Sequence, residues 1–380
     1  MSVKQVKFVD LFSGAGGLSE GFRLASDRRL RFRSIFAVES NLAAAATYQR
    51  NFGHQVFTDS IERLKRSDVP DADLVIGGPP CQGFSPLGQM SPKEAHFRMN
   101  ELWRYFFKVV FWLRPEAFVM ENVPEFLRSA EFPLVLKRAR ALGYRVDSAV
   151  LKAVNFGVPQ ARRRGFIVGH RFRQPVLPAG NARGFQTVRN AIENIRNLPL
   201  RYEFESGRTF LGLPELSGEE LHLGRTPTDL SLERYREIPP GGNRISLMRS
   251  RPDLTPQCWL KKPTGSTDVM GRLEWDKPAL TIRTEFFKPE KGRYLHPDLD
   301  RPITHLEAAR LQSFPDGYRF CGSKSEIAKQ IGNAVPPQLA YGVAKYISEL
   351  FLLTDLLGQT ATPHQSMAPL VNKMASKDLI

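Results

Sequence analysis

One cysteine of the chain stands in a setting that suits chemistry. Residues 77–85 read Gly-Gly-Pro-Pro-Cys-Gln-Gly-Phe-Ser and follow an apolar, strand-like run. The two prolines restrict the backbone, so we expect Cys81 on a rigid loop just past a strand. A lone cysteine is usually an inert buried side chain, and the surroundings of Cys258 and Cys321 fit that description. Cys81 has polar and small neighbours instead, which indicates an accessible thiol that could act as a nucleophile.

An acidic side chain ends another apolar run. Glu121-Asn-Val follows the run Glu116–Met120, and a carboxyl group at the end of a buried strand is costly unless it is paired or used. A thiol and a carboxyl group on neighbouring strand ends would form a nucleophile and its acid–base partner. No histidine lies next to either motif, so the sequence does not support a Cys–His protease dyad.

A basic segment opens a further apolar run. Residues 160–165 read Gln-Ala-Arg-Arg-Arg-Gly, and alternate side chains of a strand share a face, so Arg162 and Arg164 would point to one side. If this strand runs antiparallel, its start lies at the same edge of the sheet as Cys81. A solvated basic run is the alternative interpretation of these arginines.

A glycine-rich turn and two acids indicate a nucleoside site. Residues 10–17 read Asp-Leu-Phe-Ser-Gly-Ala-Gly-Gly, between a strand-like and a helix-like segment. The segment departs from the dinucleotide fingerprint GxGxxG because Ser19 occupies the last glycine position, so a phosphate-free nucleoside cofactor fits as well. Glu39 ends the second apolar run, where a carboxylate can accept both ribose hydroxyls. Asp59 follows a short third run and could accept from an adenine amino group. Taken alone, each acid fits a solvated loop residue or a helix cap better than a ligand contact.

The elements that must position these residues form an α/β pattern. Short apolar runs alternate with helical stretches over the first 170 residues, which predicts a parallel sheet. Ligands of such sheets bind beyond the carboxyl ends of the strands, where the motifs above lie. The predicted strands are Val6–Phe12, Ser34–Glu39, Ala72–Ile76, Glu116–Met120, Tyr144–Leu151 and Gly165–Gly169, with helices at Asn41–Asn51 and Leu102–Leu113.

The middle of the chain changes character. Residues 172–300 contain 13 Pro and 11 Gly and lose helical periodicity, which indicates a second, loop-rich lobe. The helical pattern returns from Thr304, and we expect this C-terminal segment to complete the first lobe. The predicted domains are therefore 1–171 with 300–354, then 172–299, followed by a weakly ordered tail at 355–380.

Charge and composition limit the function further. The 54 Lys and Arg exceed the 39 Asp and Glu by 15, which favours a polyanionic partner. Residues 151–260 carry 17 cations, of which 16 are Arg, the donor suited to phosphates and guanine edges. Three distant cysteines exclude a disulfide framework and a CxxC metal site. With no long apolar run and no secretory signal, we expect a cytoplasmic protein without a membrane span.

Six motifs, taken in order, resemble one family. FSGAGG, GGPPCQGFS, ENV, QARRR, LEAARLQSFPD and QIGNAVPP are similar to the ordered motif set of the DNA cytosine-5 methyltransferases of bacterial restriction–modification systems. The resemblance covers about residues 1–170 and 300–345. The family's variable target-recognition region falls where this chain becomes loop-rich. The resemblance therefore implies a Rossmann-like, S-adenosylmethionine-dependent catalytic domain with a smaller target-recognition domain.

The resemblance also implies roles for individual residues. Cys81 would be the nucleophile and Glu121 its acidic partner, with Arg162 and Arg164 holding the target cytosine. Gln82, Ser85 and Gln160 would contact DNA. The residues that would hold S-adenosylmethionine, without a metal, are Phe12, Gly14, Ala15, Gly17, Leu18, Glu39, Asp59, Leu102 and Asn333. The implied partner is duplex DNA, which would associate the enzyme with the nucleoid. A monomer is implied, with a cognate restriction endonuclease acting on the same site without a stable complex.

Two positions depart from the family pattern, and three other functions stay open. Arg98-Met-Asn100 replaces a usual Arg-Asn pair, which leaves the role of Arg98 open, and His305 replaces a commoner Pro or Arg with structural consequences alone expected.

The alternatives are an RNA cytosine-5 methyltransferase on the same fold, a catalytically inactive DNA-binding regulator and a nucleotide-dependent oxidoreductase. The long second lobe favours recognition of duplex DNA over RNA. The intact Cys81, Glu121 and Arg164 disfavour an inactive regulator. No short motif encodes the DNA sequence that is read.

Overall fold

A computed structural model describes residues 3–80, 101–180, 184–204, 206–261 and 266–358. Its main element is a seven-stranded sheet with the order β3-β2-β1-β4-β5-β7-β6. The strands of this sheet are β1 (Lys4–Leu11), β2 (Leu30–Val38), β3 (Val56–Phe57), β4 (Leu74–Gly77), β5 (Ala117–Asn122), β6 (Arg145–Lys152) and β7 (Arg163–His170). This arrangement confirms the predicted α/β class.

Strand direction explains where the site forms. The strands β3, β2, β1, β4 and β5 pair in parallel, so their carboxyl ends meet at one edge of the sheet. Strand β7 pairs antiparallel with β5 and with β6. The start of β7 therefore reaches the same edge as the end of β5, with Asn122 opposite Gly165.

Some helices cover the two faces of the sheet, and others lie in the loop-rich lobe. They are α1 (Gly17–Ala25), α2 (Leu42–Phe52), α3 (Trp103–Leu113), α4 (Glu131–Ala141), α5 (Val188–Ile192), α6 (Asp229–Arg236), α7 (Arg244–Ser250), α8 (Gln257–Lys261), α9 (His305–Leu311), α10 (Lys324–Asn333) and α11 (Pro337–Gly358). Short 3-10 helices lie at Ile61–Arg63, Arg66–Asp68, Pro124–Arg128, Ala153–Phe156, Glu193–Ile195, Gly218–Leu221, Pro252–Leu254 and Pro289–Lys291. None of the helices within the described residues is long and apolar enough to span a membrane.

Each face of the sheet has its own core. Val6 and Phe8 of β1 point to the face covered by α1 and α11, whereas Val9 and Leu11 point to the face covered by α3 and α4. A strand that is buried on both faces reads as a continuous apolar run, which is why β4 and β5 carry few polar residues.

The C-terminal segment divides between the two lobes. Helix α11 packs on the large sheet. The preceding α9 and α10 share a third core with residues of the loop-rich lobe such as Val188 and Phe286. A small sheet also joins the C-terminal segment to the loop-rich lobe. In it, β10 (Phe320–Cys321) pairs with β9 (Leu213–Leu216), which lies next to β8 (Thr209–Phe210). The C-terminal segment thus contributes α11 to the core of the large sheet, and α9 and α10 to a core shared with the loop-rich lobe.

Candidate active site

A cleft of about 630 Å³ opens beyond the carboxyl ends of β1, β2, β4 and β5. This volume is within the range of small-molecule sites. All nine residues expected to hold the cofactor line this cleft, namely Phe12, Gly14, Ala15, Gly17, Leu18, Glu39, Asp59, Leu102 and Asn333. The structure thus brings together residues that are more than 300 positions apart in the chain, such as Phe12 and Asn333.

The glycine-rich turn forms the floor of the cleft. Gly14 has φ +54° and Gly16 has φ +88°, a region that favours glycine. A Cβ atom on Gly14 would meet nothing within 4 Å, so this glycine faces open space in the cleft. Gly17 is needed for packing instead, because its Cβ would lie 2.4 Å from the Val335 carbonyl oxygen. Phe12 adopts φ +59°, a costly conformation for a bulky residue that often occurs at functional sites.

The Glu39 carboxylate is fixed by backbone amides from two chain segments. Its Oε2 accepts from the Gly14 amide at 2.8 Å, and its Oε1 accepts from the Asn41 amide at 2.7 Å. Burial raises the pKa of Glu39, and the backbone hydrogen bonds partly offset this shift. Each oxygen keeps a further lone pair that could accept from a ligand hydroxyl.

The remaining cleft residues lie at its rim and wall. Asp59 is exposed and paired with Arg63 at 3.1 Å. The hydrogen bond from the Ser60 amide, and then Arg63, lower the pKa of Asp59, so it stays ionised. Leu102 lies just before α3 and Asn333 ends α10, and both line the cleft.

Glu121 and Arg164 form an ion pair in the wall of the same cleft. Arg164 Nε lies 2.8 Å from Glu121 Oε1, and both side chains are mostly buried. Burial raises the pKa of Glu121, with Arg164 and Arg162 acting in the opposite direction. A carboxyl group with a raised pKa beside a fixed cation can hold or donate a proton at a ligand atom.

The approach to Cys81 is anchored beside this pair. Asn122 Nδ2 donates to the Pro79 carbonyl oxygen at 3.1 Å, and Asn122 Oδ1 accepts from the Val123 amide. Pro80 lines the cleft. The predicted site residues Cys81, Gln82 and Ser85 lie outside the described residues, as do Arg98 and Asn100.

Two of the predicted site residues are enclosed by the protein. The Arg162 side chain is buried and donates to the carbonyl oxygens of Ile282 and Gly332, both at 2.9 Å. Gln160 is fully buried, and its amide bonds to Leu311, Gln312 and Ile282.

These contacts give both side chains a structural role in addition to the predicted ligand contacts. Arg162 and Gln160 connect the start of β7 to the second lobe and to α9 and α10, whereas Arg162 Nε has no hydrogen-bond partner among the described residues. Residue type and spacing suggested ligand contacts, whereas tertiary packing uses the same donors internally.

The structure also bears on the expectations for Cys258, Cys321 and His305. Cys321 is buried as expected, whereas Cys258 is exposed, which corrects the expectation for that residue. His305 is buried against Phe286 and Phe287, and its Nε2 lies 3.0 Å from the Lys324 carbonyl oxygen, in line with a structural role.

Sequence reasoning missed two residues of the cleft wall. Asp10 lies at the end of β1 and lines the cleft although it is buried. Asn122 anchors Pro79 as described above. An acid at the end of an apolar run was the available signal for Asp10, the same signal that pointed to Glu121. Within the described residues, no group of His, Cys, Asp and Glu could hold a metal ion.

Comparisons with known proteins agree with this geometry. A model of the family described as "C-5 cytosine-specific DNA methylase" matches residues 6–349. The type II methyltransferase M.AgeI of Thalassovita gelatinovora is 32% identical, over 90% of this chain and 99% of that protein. M.NgoFVII of Neisseria gonorrhoeae is also 32% identical, over 92% and 88%. A prophage-encoded chain (E. coli) described as a DNA modification methyltransferase superposes with a TM-score of 0.66 at 25% identity, covering 91% of this chain and 99% of that one.

Proposed function

This chain belongs to the family of C-5 cytosine-specific DNA methylases of the restriction–modification type, and we propose that it methylates a cytosine held outside the duplex through a covalent Cys81 adduct. The observation that carries the proposal is the Arg164–Glu121 pair at 2.8 Å. It lies in the wall of the cleft that all nine expected cofactor residues line. The pair and the methyl donor would thus face one reacting base.

The cleft suits S-adenosylmethionine. Glu39 would accept from the ribose hydroxyls, Asp59 from the adenine amino group, and the open space above Gly14 would admit the ligand close to the backbone. Leu102 and Asn333 would close the pocket from opposite sides. When bound, S-adenosylmethionine supplies a methyl group on a positively charged sulfur.

The protein residues would make the target carbon reactive. Carbon 5 of cytosine is a weak nucleophile, and addition of the Cys81 thiolate to carbon 6 converts the ring to an enamine whose carbon 5 can attack. Negative charge then develops on the ring. Glu121 would supply a proton or a strong hydrogen bond at ring nitrogen 3, and Arg164 would stabilise the ring carbonyl oxygen. After methylation, loss of the carbon 5 proton and elimination of Cys81 would restore the aromatic ring.

The substrate geometry requires a second surface. The reacting carbon is stacked within duplex DNA, so the base must leave the stack to enter the cleft. Gln82 and Ser85 would contact the DNA near the extruded base. The loop-rich lobe at 172–299 would read the sequence, and methylation would protect that site from a cognate endonuclease that acts separately. The enzyme would act as a monomer.

Methyl transfer to defined substrates tests the proposal. We expect the purified chain to transfer labelled methyl groups from S-adenosylmethionine to duplex DNA and not to folded RNA. Bisulfite sequencing of DNA from expressing cells should show one short methylated site, which is lost in Cys81→Ser. Transfer to RNA alone would favour the RNA methyltransferase alternative, and methylation retained by Cys81→Ser would exclude the adduct.

Replacement of the recognition lobe tests its role separately. Exchanging residues 172–299 for the corresponding segment of a relative should move the methylated sequence. A site that stays with the catalytic lobe would contradict the proposed division of labour.

A further inference from the structure

A continuous chain of hydrogen bonds leaves the cleft at Asp10 and ends at His54. Ser19 Oγ lies 2.5 Å from Asp10 Oδ2 and 2.7 Å from the Tyr48 hydroxyl. The Tyr48 hydroxyl lies 2.8 Å from Ser34 Oγ, which lies 2.8 Å from His54 Nε2. Asp10, Ser19 and Tyr48 are fully enclosed, whereas His54 is half-buried in a separate cavity of about 310 Å³. The chain thus joins the cofactor cleft to a second, more open cavity.

The number of protons in this chain is fixed by its chemistry. The chain has four links, whereas the hydroxyl groups of Ser19, Tyr48 and Ser34 supply three protons. The fourth proton must come from one end, either from a protonated Asp10 or from His54 Nε2–H. If His54 Nδ1 also carries a proton, every link is made in two arrangements, neutral Asp10 with neutral His54, or ionised Asp10 with cationic His54. Both arrangements contain the same number of protons.

The backbone fixes the tautomer of His54. His54 Nδ1 lies 2.8 Å from the Gln55 carbonyl oxygen, which can only accept, so Nδ1 carries a proton in both arrangements. In neutral His54 the Nε2 atom must then accept from Ser34. It follows, link by link, that the arrangement with neutral His54 has Asp10 as the donating end.

The surroundings of the two ends agree with this assignment. Burial, and to a smaller degree Glu39, raises the pKa of Asp10 to about 8, although Ser19 lowers it. Burial and Arg33 lower the pKa of His54, although the bond to Gln55 raises it. Burial raises the pKa of Tyr48, so this hydroxyl stays neutral. The other ionisable groups nearby are Tyr318 on the Asp10 side and Arg23, which is paired with Glu20, on the His54 side.

The second oxygen of Asp10 provides the link to a ligand. Asp10 Oδ1 is buried in the cleft wall and has no hydrogen-bond partner among the described residues. A positively charged ligand in the cleft favours an ionised carboxylate at this position. Ionisation of a buried carboxyl group is costly unless its proton moves to a site that the same network stabilises.

We propose that Asp10 and His54 share one proton, which rests on Asp10 and moves to His54 when a cationic ligand occupies the cleft. The transfer balances through four steps. Asp10 protonates Ser19 Oγ, Ser19 passes its own proton to Tyr48, Tyr48 passes its proton to Ser34, and Ser34 protonates His54 Nε2. Tyr48 and His54 are therefore positioning residues that act on the cofactor site through Asp10. The inference rests on the proposed binding of S-adenosylmethionine in this cleft.

Nitrogen NMR of the histidine rings in the full chain tests the transfer. At pH 7 the free protein should show His54 neutral with its proton on Nδ1, and saturation with S-adenosylmethionine should protonate both ring nitrogens. The His54 signals are assigned by comparison with His54→Gln. Binding without ring protonation would overturn the relay alone. Absence of binding would overturn the proposed cofactor site, and the relay with it.

Calorimetry in buffers of different ionisation enthalpy gives a second readout. In the wild type the Asp10 proton stays in the protein, so binding of S-adenosylmethionine at pH 7 should release almost no proton. Tyr48→Phe keeps the ring that packs on Phe52 but cuts the chain, so release should rise to about one proton per ligand. Tyr144→Phe is the matched control, because its buried hydroxyl bonds to Pro115 away from the chain. The same proton count and affinity in the two variants would contradict the proposal.

Discussion

Arg164 Nε lies 2.8 Å from Glu121 Oε1 across two antiparallel strands. The parallel part of the sheet places Glu121 at the ligand edge, and the reversed direction of β7 returns Arg164 to that edge. A parallel β7 would place its start at the opposite end of the sheet. One change of strand direction thus brings a carboxyl group and a guanidinium together in the cleft.

The Glu121→Gln variant tests this carboxyl group. If Glu121 supplies a proton to the ring, its loss should lower the single-turnover rate by about 10²–10⁴-fold. The acid form is the active one, so the wild-type rate should fall as pH rises through the raised pKa of Glu121. The variant has no group that titrates there, so this limb should disappear from its profile of rate against pH.

Cofactor affinity and melting temperature show whether Glu121→Gln has lost catalysis or has lost its fold. The affinity for S-adenosylmethionine and the melting temperature of Glu121→Gln should stay close to those of the wild type. A variant whose rate is normal and still falls over the same pH range would show that another group supplies the proton.

Gly78 controls the space beside the same carboxyl group. A Cβ on Gly78 would lie 2.9 Å from Glu121 Oε2, closer than such atoms normally approach, so Gly78→Ala should displace Glu121. We expect kcat to fall by about 10- to 100-fold, since small displacements of catalytic groups have large effects. Gly317→Ala is the control, because Gly317 is exposed and its Cβ would meet nothing within 4 Å. Equal kcat values for the two variants would mean that Glu121 tolerates the shift.

Arg162 should matter for stability more than for catalysis. Its guanidinium satisfies the buried carbonyl oxygens of Ile282 and Gly332. Arg162→Ala leaves both unsatisfied and should lower the free energy of unfolding by about 2–5 kcal/mol in urea titrations. Arg163→Ala removes an exposed neighbour and should change it by less than about 0.5 kcal/mol.

The opposite result would support the prediction from the sequence that Arg162 holds the target cytosine. If Arg162→Ala is as stable as the wild type but inactive on DNA, Arg162 contacts the substrate and the internal bonds are dispensable.

The large sheet could be predicted from the sequence because it depends on local patterns. Apolar runs at Val6–Phe12 and Glu116–Met120 became β1 and β5 with ends shifted by one or two residues. The position of each motif at a strand end then followed from the general behaviour of parallel sheets. The family resemblance, and not this reasoning alone, supplied the nine expected cofactor residues that line the cleft at this edge.

Long-range packing could not be predicted in the same way. The periodicity around Thr304 indicates that a helix has a buried face, but not which core receives it, and α9 packs with the second lobe. Strands β8 to β10 have between two and four residues each, too short for a pattern to show. The burial of Gln160 and Arg162 depends on backbone carbonyls more than 100 positions away, which no local motif encodes.

Duplex DNA carrying 5-fluorocytosine at the methylated site should trap the enzyme covalently. In the proposed mechanism, Cys81 would add to carbon 6, Glu121 and Arg164 would stabilise the ring, and carbon 5 would accept the methyl group. Normal release requires the hydrogen on carbon 5 to leave as a proton so that the Cys81 bond can break. Fluorine cannot leave as a cation, so the adduct should persist after methylation. Denaturing electrophoresis should show a shifted band that requires S-adenosylmethionine.

The residue that carries the covalent adduct identifies the nucleophile. Mass spectrometry should locate the adduct in a peptide that contains Cys81, and Glu121→Gln should slow its formation because the ring loses its proton source. Cys258 is the competing thiol, since it is exposed, whereas Cys321 is buried. Cys258→Ser should therefore trap as well as the wild type, and Cys81→Ser should not trap at all. An adduct on Cys258, or methylated DNA that never traps, would exclude the mechanism proposed here.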